Sequence, residues 1–107
     1  MRYEQLRVMC MFDLPMDTPK DQKAYRIFRK ELIVNGFQML QYSVYYRVVP
    51  NRQAAKKYEG ILKKLTPPHG EVRLLYISEK QFDDMQLLVG SRSHQEEVVG
   101  SQKLVVI

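Results

Sequence analysis

Between Asn51 and Leu65 the chain carries its clearest local signal. Ala54, Ala55, Tyr58, Ile61, Leu62 and Leu65 recur at three- and four-residue intervals, the spacing of one helical face, and Asn51, following Pro50, is a good helix cap. Strand-like composition brackets this helix on both sides. Upstream, Phe37 to Val49 (FQMLQYSVYYRVV) is rich in β-branched and aromatic residues. Downstream, EVRLLYIS from Glu71 to Ser78 follows the breaker Thr66-Pro67-Pro68-His69-Gly70. The upstream run is longer than a usual strand and its alternation slips near Gln41 to Ser43. It therefore predicts two strands joined by a tight turn, although no Asn-Gly or Gly-Gly pair marks one.

The N-terminal third supplies the rest of the pattern. Residues 5–13, QLRVMCMFD, form an apolar run ending in a carboxylate, as expected of a mostly buried central strand. Thr18-Pro19-Lys20-Asp21 then reads as a helix start, with Thr18 as cap, Pro19 in the first turn and Asp21 completing a capping box. Ala24, Tyr25, Phe28 and Leu32 share one face of that helix, Lys23, Arg26 and Lys30 the opposite one, and Gly36 supplies the stop. The order strand, helix, strand, strand, helix, strand specifies an α+β chain with the split β-α-β arrangement of a ferredoxin-like plait, its helices on one face of an antiparallel sheet. One domain over 1–107 is expected, with 1–78 as the core plait and 79–107 as a C-terminal extension. The extension should hold a polar turn around Glu79 to Asp84, a short strand Met85 to Val89, a polar stretch from Gly90 to Gly100 and a terminal strand Lys103 to Ile107. The plait leaves that last strand without a place, so Leu104, Val105, Val106 and Ile107 are candidate dimer or partner contacts, as an edge addition or an exchanged strand.

With 107 residues, 45% of them hydrophobic, the chain can build one core but not a core plus a large enclosed active site. A site shared between subunits is the natural expectation. No run approaches the roughly 18 apolar residues of a membrane span, and the N-terminus lacks a signal-peptide segment, which predicts a cytoplasmic protein without membrane contact. Cys10 has no second cysteine to pair with and reads as a small buried hydrophobe. The net charge of +5 is unevenly spread: segment 20–35 carries +3 and segment 51–65 carries +4, leaving −2 for the remainder. Two basic helices point to a polyanion partner, although basic helix surfaces also occur in proteins that bind none.

Few residues can carry chemistry. The chain has no Gly-rich phosphate loop, no histidine pair at metal spacing and no Ser-His-Asp arrangement, and His69 and His94 read as solvated loop residues. What remains is Asp13, where the first strand gives way to Leu14-Pro15. Its plainest role is to cap or salt-bridge the strand-to-helix turn. Magnesium, however, takes hard oxygen ligands, commonly one or two carboxylates with water completing its shell, so one carboxylate per subunit would suffice at a twofold axis.

The strings RVMCMFDLP, YRIFRKEL, GFQMLQYSVYYR and EVRLLYISEKQF resemble CRISPR-associated protein 2, particularly the forms from type II-A systems, and they follow that family's order through nearly the whole chain. The resemblance implies a ferredoxin-like fold, a symmetric homodimer, and a place between two dimers of the CRISPR integrase, CRISPR-associated protein 1. It also implies double-stranded prespacer DNA as a partner and possible contact with the other adaptation proteins of a type II-A system. By position, the family's metal-binding aspartate falls on Asp13, as metal ligand and catalytic residue for magnesium, or manganese in its place. The Ser-Val-aromatic motif falls on Ser43-Val44-Tyr45. Lys23, Arg26, Arg29, Lys30, Arg47 and Arg52 are the residues expected to meet nucleic acid.

Two activities are implied, a non-catalytic DNA-binding scaffold for spacer acquisition and a metal-dependent endonuclease acting on RNA or double-stranded DNA. With a single acidic residue and no evident general base, cleavage would rest on metal-activated water and should be weak. An RNA-recognition module on the same topology is a third reading, for which Tyr42, Tyr45 and Tyr46 could stack bases, but its aromatic signature motif is absent.

Overall fold

A computed structural model describes residues 5–90. Its elements run β1 (Leu6–Asp13), α1 (Pro19–Val34), β2 (Gln38–Gln41), β3 (Val44–Val49), α2 (Arg52–Leu65), β4 (Glu71–Ser78) and α3 (Glu79–Asp83). The four strands form one antiparallel sheet in the order β2-β3-β1-β4, the arrangement of a ferredoxin-like plait. The apolar run of β1 is central because both of its edges are paired, with Cys10 opposite Tyr45 on one side and Leu74 on the other.

Alternation along β1 sends Val8, Cys10 and Phe12 to the face covered by α1 and α2. There they pack with Phe28 and Leu32 of α1, Tyr45 and Val49 of β3, and Ala55 and Leu62 of α2. Phe12 lies at the centre of an aromatic group, 5.3 Å edge-on to Phe28, 6.0 Å from Tyr25 and 5.7 Å from the stacked ring of Tyr45. Burial pushes the Cys10 thiol up to about 12, so it stays neutral and inert, as a small buried hydrophobe should.

The helix ends follow local chemistry. The Thr18 hydroxyl accepts from the Asp21 N–H at 3.0 Å, and the Asn51 carbonyl oxygen Oδ1 accepts from the Ala54 N–H at 2.9 Å. The expected capping box at α1 is only half made, since Asp21 is a methylene shorter than the Glu or Gln that returns the bond in such boxes. Helix α1 stops at Gly36, whose φ of +84° lets Gly36 N–H reach Ile33 O and Phe37 N–H reach Leu32 O in a Schellman closure.

The segment 37–49 is indeed two strands. A register shift between Met39 and Gln41 and the two-residue turn Tyr42-Ser43 account for the slipped alternation. Ser43 takes the left-handed turn conformation, φ 66°, without glycine.

Two expectations for the extension are corrected. The stretch after β4 is not a polar turn but helix α3. Ser78 and Gln81 close a full capping box, and Phe82 is carried onto the sheet face opposite α1 and α2. Met85 to Val89 is not a strand. The segment pairs with no strand of the described sheet, although the outer edges of β4 and β2 are open, and Met85, Leu87, Leu88 and Val89 are exposed. Lys103 to Ile107, including Leu104, Val105, Val106 and Ile107, lies outside the described residues.

Helix α2 is tied to the sheet by a polar contact as well as by packing. The Tyr76 hydroxyl on β4 donates to the Glu59 carboxylate on α2. Burial first, then this bond and the charge of Glu59, push the Tyr76 phenol up to about 12 from its ordinary 10.0. The same bond is the main cause holding the Glu59 carboxyl below its usual range. A raised phenol pKa stabilises the fold fully below pH 10, and that contribution is lost as pH climbs from 10 towards 12. Tyr76→Phe should flatten the loss of stability across this alkaline window, read by urea unfolding at stepped pH against the parent chain.

Candidate functional site

Asp13 is the last residue of β1. Alternation places it on the sheet face away from α1 and α2, and it is exposed. Its carboxylate makes no hydrogen bond or ion pair with another described residue, so it does not cap or bridge the turn that follows. Directly opposite on β4 stands Glu71, whose carboxylate meets Arg73 at 3.3 Å. Like charges opposed across a strand pair are unfavourable, and Arg73 offsets part of that repulsion.

Two backbone features hold the Asp13 end of β1. The Phe12 N–H donates to Ser43 O at 3.0 Å, tying the residue before Asp13 to the β2–β3 turn. Gly70, with φ +95°, lies so close to the β1 terminus that a Cβ there would sit 2.6 Å from Asp13 O and 2.9 Å from a Leu14 methyl. The glycine of the breaker is therefore demanded twice, by conformation and by contact.

Around Asp13 the sheet face has two halves. At the far end, α3 covers Met9 and Tyr46 with Phe82, and Arg7 lies 3.7 Å over the Phe82 ring. Arg7 also grips the Glu79 carboxylate with two bonds of 2.7 and 3.0 Å. Nearer Asp13 the face carries Met11, Val44, Leu75 and the Glu71–Arg73 pair. Leu75 is 49% exposed there, and Val48 remains 42% exposed towards the other end.

Among the described residues no three or more His, Cys, Asp or Glu side chains come together as a metal cage. The donor set instead suits a hydrated hard cation held by one carboxylate per chain. A magnesium ion keeping most of its water fits that chemistry, and a soft-ligand metal does not.

The nucleic-acid candidates fall into two groups. Lys23, Arg26, Arg29 and Lys30 are all exposed on α1 and form no ion pair with a described residue. Arg52 is exposed in the first turn of α2, 6.0 Å from the Tyr76 ring. Arg47 is different, because it is engaged inside the fold. It donates to Asn35 O at 2.8 Å, lies 4.4 Å over the Tyr58 ring and crosses Gly36, where a Cβ would collide with its guanidinium. The last turn of α1 has no basic residue of its own, so Arg47 brings from β3 the cation that a helix C-terminus favours.

Sequence reasoning missed Glu71 beside Asp13, because strand register is not written in composition. It also missed the Arg7–Glu79–Phe82 assembly, for which a signal did exist: Ser78-Glu79-Lys80-Gln81 is a capping-box string.

Comparisons with known proteins converge. The family model described as CRISPR associated protein Cas2 matches residues 6–85. A curated relative from Ligilactobacillus salivarius is 45% identical over 87 residues, 81% of this chain and 86% of that protein. Another, from Campylobacter jejuni, is 44% identical over 101 residues, 94% of this chain and 71% of its own length. A third, from Acidovorax ebreus, is 39% identical over 101 residues, covering 94% and 99%. All three carry the name CRISPR-associated endoribonuclease Cas2.

Since Gly70 seats the end of β1, Gly70→Ala should cost about 1–3 kcal/mol of stability, read as a lowered urea midpoint with an unchanged slope.

Proposed function

This chain belongs to the CRISPR-associated Cas2 family, and on that footing we propose that it acts as a homodimeric, double-stranded-DNA-binding subunit of the spacer-acquisition machinery. In this role it bridges dimers of the CRISPR integrase, CRISPR-associated protein 1, and holds the prespacer duplex between them. The observation that carries the reading is the row of exposed cations on α1, Lys23, Arg26, Arg29 and Lys30, which no carboxylate of the described fold neutralises. Cations without internal partners are available to phosphates, and releasing the counterions condensed on DNA supplies the binding free energy.

The dimer reading rests on the sheet face opposite α1 and α2. Leu75 and Val48 are apolar and exposed on it, and Met85 to Val89 continue as an exposed apolar segment. A second copy packed there would remove this surface from water and bring two Asp13 carboxylates towards one axis.

Hydrolysis of phosphodiesters is the second reading, favoured by the names of the relatives and by an Asp13 carboxylate that has no partner among the described residues. Asp13 would hold the magnesium ion, or manganese in its place. When bound, the ion supplies an activated water and stabilises developing phosphate charge. The one carboxylate opposite Asp13, that of Glu71, is engaged by Arg73 and leaves no free general base beside it among the described residues, so such turnover is slow and dispensable for acquisition.

Asp13→Ala should abolish magnesium-dependent cleavage while leaving dimer and spacer acquisition intact. A normal dimer that fails an acquisition assay would overturn the scaffold reading. Changing Lys23 and Arg26 to Glu should weaken DNA binding for every sequence alike and flatten the log–log salt dependence by about one unit per lost contact. A filter-binding titration with an unchanged slope would move the DNA site off α1.

A further inference from the structure

The two long helices do not close against each other along their full length. Between the C-terminal end of α1 and the C-terminal half of α2 lies a groove of about 550 Å³, lined by Glu31, Val34 and Asn35 on one wall and Lys57, Ile61 and Lys64 on the other. Gly60 and Leu65 complete its lining. The apolar part is accessible, with Val34 67% exposed and Ile27, on the same stripe of α1, 50% exposed.

Gly60 is the telling residue. It sits inside a 14-residue helix, where only proline is a poorer choice, yet its φ is not left-handed and a Cβ there would meet nothing within 4 Å. Nothing among the described residues calls for glycine at this position. A surface that approaches from outside does, because a bare backbone lets a second element come close.

The charges specify what approaches. Lys57 and Lys64 stand two turns apart on one wall, roughly 10 Å along the axis, and neither pairs with a carboxylate of the described fold. Lys63, by contrast, is paired with Glu59 at 3.6 Å. Glu31 on the opposite wall repels an anion, so incoming carboxylates are directed to the α2 side. A phosphate backbone has no use for the apolar residues Val34, Ile61 and Leu65, whereas the apolar stripe of a peptide helix does.

We propose that this groove is a protein-docking site for an acidic amphipathic helix of a partner protein, seated over Gly60 with its carboxylates on Lys57 and Lys64. It is separate from the sheet face assigned above to the second copy and does not depend on that assignment.

The test uses the full-length 15N-labelled chain and a synthetic helical peptide of about 16 residues, long enough to hold a helix, with a leucine stripe flanked by glutamates. Saturable shifts confined to the amides of Val34, Gly60, Ile61 and Lys64 are expected. Lys57→Glu with Lys64→Glu should weaken binding roughly tenfold or more; Gly60→Ala, whose Cβ meets nothing in the fold, should weaken it, and the bulkier Gly60→Leu should abolish it. A lysine-flanked version of the peptide should not bind. The proposal is overturned if Gly60→Leu binds like the parent, if shifts scatter over all the lysines, or if a short DNA duplex shifts the same amides and displaces the peptide.

Discussion

Phe12 joins the sheet, the first helix and the β2–β3 hairpin. Its ring gathers Phe28 and Tyr25 of α1 and Tyr45 of β3 into one aromatic group, and its N–H is bonded to the carbonyl of Ser43 in the β2–β3 turn. Sheet, helix layer and hairpin are thus fixed at one point, and Asp13 is the next residue along. The position of the carboxylate follows from the packing of its neighbour. With no side-chain partner among the described residues, Asp13 is held by backbone, between a left-handed serine on one side and a glycine pressed against its carbonyl on the other.

That arrangement explains how a small chain keeps a charged group usable. A carboxylate that paired with an arginine of its own fold would be stabilised but occupied, as Glu71 is by Arg73 and Glu79 by Arg7. The basic side chains divide in the same way. Arg7 and Arg47 serve the fold, one sandwiched against Phe82 and the other closing the end of α1, while the cations of α1 are exposed with no ion-pair partner among the described residues. Net charge therefore overstates how much positive surface is available, and its placement on one helix matters more.

The plait was legible in the sequence because its signals are local. Periodicity marked both long helices, Thr18, Asn51 and Gly36 marked their ends, and the slipped alternation near Ser43 marked the hairpin although its turn lacks glycine. What escaped depended on pairs distant in the chain. Arg47 looks like any strand-edge arginine until the C-terminus of α1 is brought beneath it, and Glu71 becomes the neighbour of Asp13 only through strand register. Helix α3 hides for another reason: Ser78 is the last strand residue and the helix cap at once, and strand composition masks the second role.

That double role of Ser78 limits how the chain can change length. With no loop between β4 and α3, adding or removing one residue at the joint would turn α3 by about 100 degrees, one residue's share of a helical turn. Phe82 would leave the sheet and Glu79 would leave Arg7 together, two losses from a single event. Between β4 and α3 the spacing is therefore fixed to the residue, whereas the first position at which this part of the chain could change length without turning Phe82 and Glu79 away lies beyond Asp84.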